Sequence, residues 1–277
     1  MFSIQLMCEI FSVSRAGFYA WKKRPESKRK KNDRRFLTLI KTSFQSSRDT
    51  YGYRRIHHDL REQNENCGKH RVARIMHENG IQPKTKRKFR VTTDSRHNKP
   101  IHENHLGRQF NAVMPNQRWV SDITYIPTVE GWLYLATVMD LYSRRIVGWA
   151  MSHRLLDTLV TDALKMALFR RKIRANDLLL HSDRGSQYAG DNFQKLLGIY
   201  GITCSMSRAG DCWDNAVMES FFHSLKTECI HHERYITRDE AKKSVFDYIE
   251  VFYNRRRRHS FLGYKSPEQF ELLASEC

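Results

Sequence analysis

Three runs of aromatic and β-branched residues crowd the stretch between Arg118 and Met151: RWVSDITYI at 118–126, WLYLATVMD at 132–140 and RRIVGWAM at 144–151. Such residues favour a pleated, half-buried backbone, and the connections between the runs, PTVEG and LYS, are too short to hold a helix. The strands must therefore turn back on one another as an antiparallel meander. Beyond Met151 the pattern changes. Val160 to Phe169 places Leu164, Ala167 and Leu168 on one helical face, and Asp177 to His181 carries three consecutive leucines, the mark of a short strand covered on both sides. A strand, helix, strand passage returns parallel by a right-handed crossover. A helix over Asp191 to Tyr200, a strand over Ile202 to Met206 and a helix over Asn215 to Thr227 complete an α/β unit with a mixed five-stranded sheet flanked by helices. A further helix is expected over Arg238 to Arg258, ending in four consecutive arginines.

The first part of the chain differs in charge. Residues 1–110 carry 26 basic and 10 acidic groups, whereas residues 111–277 carry 22 and 20, within an overall net charge of +18. A strongly basic half beside a near-neutral half points to a nucleic-acid-binding region attached to a core with another task. Gln5 to Phe11 and Arg15 to Lys22 read as helix, turn, helix with Ser14 as N-cap; Gly52 to Glu62 and Lys69 to Asn79 repeat the pattern before Gly80. Between them, KKRPESKRKKNDRR is too charged to bury and reads as a solvated helix or a DNA-backbone contact, and KTKRKFR at 84–90 strengthens the case for DNA. Residues 91–107 read as a polar linker.

Several classes are excluded by pattern. The longest charge-free run, Leu196 to Ser207, has 12 residues and two glycines, short of the roughly 18 a membrane helix needs. Six cysteines without a CxxC pair argue against a zinc knuckle or a disulfide framework, and the pairs His57–His58 and His231–His232 have no cysteine partners at ligand spacing. A reducing cytoplasm fits best, with no membrane partner.

Three carboxylates stand out. Asp122 interrupts an apolar strand pattern, where an unpaired charge would cost several kcal/mol. Asp183 directly follows the leucine strand, at the carboxyl end where open α/β sheets gather ligands. Glu219 lies at the edge of the Met218, Phe221, Phe222, Leu225 stripe and can lean over the sheet edge toward both. Converging acids repel unless cations neutralise them, and hard oxygen ligands favour Mg²⁺ or Mn²⁺, a pair of which can serve in-line phosphoryl displacement. Each acid taken alone reads more readily as a cap, a surface group or an arginine partner, as Asp140 and Asp211 do.

Asp183 and Glu219 are separated by 35 residues, and WVSDITYI, HSDRGSQY and DNAVMESFFHSLKTE surround the three acids. On these strings, and on YGYRRI at Tyr51 and YNRRRRHSFLGYKSPEQF at Tyr253 to Phe270, the chain resembles the second-reading-frame transposases of the insertion sequence 3 family, relatives of retroviral integrases. The resemblance implies an RNase H-like core behind an all-α helix-turn-helix region: residues 1–106 for DNA binding, 107–230 for catalysis and 231–277 as a helical extension. It implies a DNA transposase that cleaves and joins strands at element ends, with a nuclease lacking strand transfer, or a non-catalytic regulator, as the rival readings. The family's metal-binding acids fall on Asp122, Asp183 and Glu219, with Mg²⁺ or Mn²⁺, as two ions, for cofactor. Its basic residue seven after the glutamate falls on Lys226, which shares a helix face with Glu219 and can hold a phosphate. Tyr188, Gln187 and Arg208 are candidate DNA contacts, Asp214 a helix cap and Trp213 a core residue. The implied partners are element-end and target DNA, further copies of the chain on that DNA, and an upstream-frame protein or fusion; the implied location is the bacterial cytoplasm, with the nucleoid.

Overall fold

A computed structural model describes residues 3–84, 102–173, 177–208 and 211–275. The chain divides into a helical unit within residues 1–82 and a larger unit from residue 83 onward, to which residues 47–50 also belong. Most of KTKRKFR, and the linker up to residue 101, lie outside the described residues.

In the helical unit, α1 (Ile4–Ile10) and α2 (Arg15–Lys23) begin at serine caps, Ser3 accepting from Leu6 N–H at 3.2 Å and Ser14 from Gly17 N–H at 3.0 Å. Next come α3 (Lys28–Ser46), α4 (Tyr53–Glu62) and α5 (Lys69–Glu78). The basic run from Lys28 to Arg35 forms the opening turns of α3, and these solvated turns continue into a half that the charge pattern concealed. That second half buries Phe36 and Ile40, while α4 and α5 bury Ile56, Leu60, Val72, Ile75 and Met76. Asp33 on α3 accepts from Arg71 at 2.7 Å and Arg74 at 2.8 Å, and these bonds hold its carboxyl below the usual range.

The larger unit is built on β1 (Arg118–Thr128), β2 (Gly131–Asp140), β3 (Ile146–Ser152), β4 (Leu179–Ser182) and β5 (Thr203–Met206), in the spatial order β3-β2-β1-β4-β5. The first three strands are antiparallel; β4 runs parallel to both β1 and β5. This is the expected mixed five-stranded sheet. Helices α6 (Asp157–Arg171), α7 (Asp191–Ile199), α8 (Ala216–Glu228), α9 (Arg238–Phe246) and α10 (Pro267–Ser275) complete the unit. One core joins Trp119, Val138 and Val147 of the sheet to Val160, Leu164 and Leu168 of α6 and Phe193 of α7.

Both sheet edges are met at one end by other parts of the chain, which shortens the stretch open to unwanted pairing. On β3, the Asn254 amide accepts from Ile146 N–H at 2.9 Å and donates to Ile146 O at 3.0 Å. On β5, Ser205 Oγ accepts from the N–H groups of His105 and Leu106, and Met206 N–H donates to Glu103 O at 3.3 Å. Residues 103–106, read from sequence with the basic region, therefore pack on the sheet.

The long C-terminal helix is corrected. After α9 the chain runs as a π-helical segment over Asp247–Tyr253 and then leaves the helix, so Arg255 and Arg256 sit in a turn and Arg257 and Arg258 in the irregular chain after it. Arg257 and Arg258 are buried, a burial that charge patterning alone does not foresee.

Gly148 fixes how closely α6 approaches β3, because a Cβ there would stand 2.2 Å from Ala163 O and 2.8 Å from Ala167 Cβ. Gly148→Ala should lower stability by about 1–3 kcal/mol, the usual range for overpacking, in a urea titration. An unchanged midpoint would mean that α6 shifts freely.

Candidate active site

Strand register brings the first two acids together. Val120 pairs with His181 in the parallel β1–β4 ladder, and Asp122 and Asp183 each lie two residues further on. Asp183 stands just past the end of β4, and the two acids are close enough for the charge of Asp183 to act on Asp122. Asp122 accepts from Ile123 N–H at 2.7 Å, and Asp183 accepts from Gly185 N–H at 2.9 Å. Protein atoms crowd the Asp122 carboxyl although the residue keeps some surface; burial first, and then the charge of Asp183, push it well above the ordinary carboxylate range.

Glu219 is placed by α8. Met218, Phe221, Phe222 and Leu225 are buried as the stripe requires, and Glu219 stands exposed beside it. Its charge acts on Asp122 less strongly than that of Asp183. Partial burial raises the Glu219 carboxyl. Among the described residues no three His, Cys, Asp or Glu side chains are clustered closely enough to form a ready-made metal site. Asp122 and Asp183 are thus brought together, and Glu219 lies near them without closing on them.

Lys226 is half-buried at the same place. Burial pushes its ammonium pKa down while the Asp122 carboxylate draws it up, so the cation faces Asp122 as well as sharing a helix side with Glu219. Gln187 also stays near the acids: a Cβ on Gly185 would meet Asp183 Oδ1 at 3.0 Å and Gln187 Oε1 at 3.2 Å. Gly185 thus leaves a small cradle of hard oxygens that a side chain would fill.

Other expectations need correction. Tyr188 is wholly buried, its hydroxyl 3.0 Å from Ser121 Oγ and its ring edge-on to Phe193, so it is a packing residue under β1 and does not reach DNA. Asp214 does not cap α8, whose N-cap position is Asn215. Instead Asp214 is buried and accepts from Arg208 N–H at 2.9 Å, the Arg208 guanidinium at 2.8 Å, Arg108 Nε at 2.9 Å and Asn104 Nδ2 at 2.8 Å. These bonds, chiefly from Arg208, hold its carboxyl far below the usual range. Arg208 is exposed as expected, but its guanidinium is held by Asp214 and Asp211. Trp213 is exposed at 68% instead of packed in the core.

Two supporting residues escaped the sequence reading. His181 is buried, with Nδ1 2.9 Å from Ser205 Oγ and Nε2 3.1 Å from Ser207 Oγ. Burial lowers its pKa to about 4, so a neutral ring ties β4 to β5 just before Asp183. Tyr125 lies near both aspartates, and burial, followed by their charges, raises its phenol. A polar group inside a short apolar strand was the available signal for His181; Tyr125 had none.

Comparisons with known proteins agree with this architecture. Integrase core domain models match residues 112–212 and 219–272, and an HTH-like domain model matches residues 31–89. The chain is similar to the transposase InsF for insertion sequence IS3A of Escherichia coli K12, at 45% identity over 272 residues, 98% of this chain and 94% of the relative. It is also similar to the insertion element IS600 uncharacterized 31 kDa protein of Shigella sonnei, at 46% identity over 95% of this chain and 97% of that one. Among solved structures, the HTLV-2 integrase catalytic core domain in complex with magnesium aligns at 16% identity and a TM-score of 0.41, covering 57% of this chain and 98% of that one. With near full-length identity to InsF, a matching core and a matching helical region, this chain belongs to the transposase family of the IS3-type insertion sequences.

Proposed function

We propose that this chain is a DNA transposase, a polynucleotidyl transferase that cuts DNA at the ends of its insertion sequence and joins them to a second DNA. The observation that carries this is the nearness of Asp183, just past the end of β4, to Asp122 on the neighbouring parallel β1, with Glu219 and Lys226 acting on Asp122 from α8, in a chain of this family. Water attack on the end phosphodiester frees a 3′-OH, and that hydroxyl attacks a phosphodiester of the target. Each step exchanges one P–O bond for another and needs no covalent link to the protein.

Asp122, Asp183 and Glu219 are proposed to hold Mg²⁺ or Mn²⁺, as two ions. The residues fit: the donors are hard oxygens, and the carboxyl of Asp122 is raised by burial and by the nearby charge of Asp183, which a divalent cation would relieve. Ions held there would supply activation of an oxygen nucleophile and stabilisation of a leaving oxygen. Lys226 binds a phosphate oxygen beside the acids, and Gln187 orients the strand next to Asp183. Arg208 is proposed as a flanking backbone contact, positioned by Asp214. Cutting one DNA and joining it to another favours a homo-oligomer on DNA, with an upstream-frame protein as a separate or fused partner. No described helix is long and apolar enough to cross a membrane.

Asp122→Asn, Asp183→Asn and Glu219→Gln should each reduce cleavage and joining of labelled end DNA by about 10³-fold or more while leaving DNA binding largely intact, and chelation should do the same to the unaltered protein. Near-normal cleavage by any of the three variants would sink the assignment. Cut but unjoined products would support the nuclease reading, and a shifted band without chemistry the regulator.

For Lys226→Ala, the slope of log binding constant against log salt should fall by about one unit. An unchanged slope would make Lys226 a purely structural partner of Asp122.

The helical region is proposed as the DNA-recognition part, because the charge excess and the HTH-like match coincide there. A fragment ending near residue 82 should bind DNA without cutting it, with affinity that falls steeply as salt is added. A fragment starting at His102 should cut weakly and with little selectivity. Full end selectivity in the second fragment would remove recognition from the helical region.

A further inference from the structure

The larger unit contains an open cleft of about 630 Å³ whose walls include Arg108, Phe110, Arg118, Arg144, Val217 and Phe261. Val217 lies two residues before Glu219 on α8, about 200° around the helix, so the cleft and Glu219 occupy different flanks. A phosphate held here would be a different one from that at the acids.

Arg144 is the unusual wall residue. It is only 7% exposed, donates from Nη2 to Phe110 O at 3.0 Å, and lies 4.2 Å from the centroid of the Phe261 ring. Its Nη1 is buried without a hydrogen-bond partner. Among the described residues no carboxylate comes within ion-pair distance of it; Asp140 acts only from further away and is itself paired with Arg171 at 3.4 Å. Arg118 donates to the carbonyls of Gln109 at 2.8 Å and Asn111 at 3.0 Å, again with no carboxylate partner. Arg108 differs, being neutralised by Asp211 and Asp214. Two guanidinium charges, one nearly withdrawn from water, therefore line one open cleft with no carboxylate counter-ion among the described residues. Buried cations are ordinarily paired, and a planar guanidinium matches an oxyanion through two parallel N–H bonds.

We propose that this cleft binds a backbone phosphate of DNA, with Arg144 and Arg118 on its oxygens and Phe261 against the adjoining sugar or base. The ring of Phe261 is 58% exposed, an aromatic face of the kind on which nucleotides stack. The cleft is open and large enough for a phosphodiester with its sugar, and the chain carries +18 of net charge, which favours a polyanion. The choice of DNA over another oxyanion rests on the transposase reading; the unpaired arginines do not.

The competing explanation is that both arginines merely pin the 109–111 segment, so the test needs a readout that pinning would not move. Full-length protein is titrated with a fluorescent DNA duplex across a salt series, and its thermal unfolding is followed with and without inorganic phosphate at matched ionic strength. Arg144→Gln and Arg118→Gln should each lower the salt slope by about one unit, and Arg144→Lys, which keeps the charge, should retain the slope. Phe261→Ala should weaken binding by the folded protein about fivefold or more. If Arg144→Gln fails to fold, Arg118→Gln and Phe261→Ala decide the matter. An unchanged slope in folded Arg118→Gln together with unchanged affinity in Phe261→Ala overturns the proposal. Stabilisation by inorganic phosphate that the arginine variants abolish, with DNA slopes intact, also overturns it and leaves a small-oxyanion site. If the unaltered protein binds no duplex at low salt, the transposase reading itself fails, and the proposal with it.

Discussion

Like charges held close to each other set the central constraint on this molecule. The β1–β4 register brings Asp122 and Asp183 near each other, and burial together with mutual repulsion makes that placement unfavourable without a cation. Their surroundings counter it by rigidity. The buried imidazole of His181 bridges Ser205 and Ser207 where β4 leads into Asp183. Under β1, the Tyr188 hydroxyl meets Ser121, one residue before Asp122. Backbone N–H groups from Ile123 and Gly185 orient the two carboxylates.

The second requirement is that α8 present Glu219 and Lys226 to the same place, and here the C-terminal extension contributes. Arg257 donates to both Glu228 oxygens, at 2.7 and 2.6 Å, and to Ser224 Oγ at 3.1 Å, while the Tyr248 hydroxyl donates to Glu228 at 2.9 Å. A buried pair of this kind is weak evidence of net stability, but breaking it would leave a charge unpaired, so it strongly disfavours other placements of α8. At the other end of the helix, the buried Asp214 gathers Arg108, Arg208 and Asn104 around it. The segment around Asn104 thereby joins the site's support, and the basic run at 255–258 is in part structural.

The strands and helices of the core were legible because each rests on local periodicity. The alternation in RWVSDITYI, the leucines before Asp183 and the stripe through Met218 and Leu225 all answer to one buried face, and the short connections leave few ways to join them. The second half of α3 was hidden because Lys28 to Arg35 masks the apolar spacing that starts at Phe36. The C-terminal helix was read too long because arginines are good helix formers, and nothing local announces that Arg257 will meet Glu228 from 29 positions away.

By itself the sequence determined the element types, the mixed sheet and the charge division, and it singled out the three acids with Lys226 as candidates, since strand period, helix period and an out-of-place carboxylate are properties of neighbouring residues. Only the tertiary structure decided which polar groups meet. It buried Tyr188 and exposed Trp213, turned Asp214 from a cap into an arginine anchor, set His181 between two serines, and left Arg144 in a cleft with no carboxylate counter-ion among the described residues. Those outcomes depend on residues tens of positions apart, whose separation in space is fixed by strand register and helix packing, and no local pattern encodes that distance.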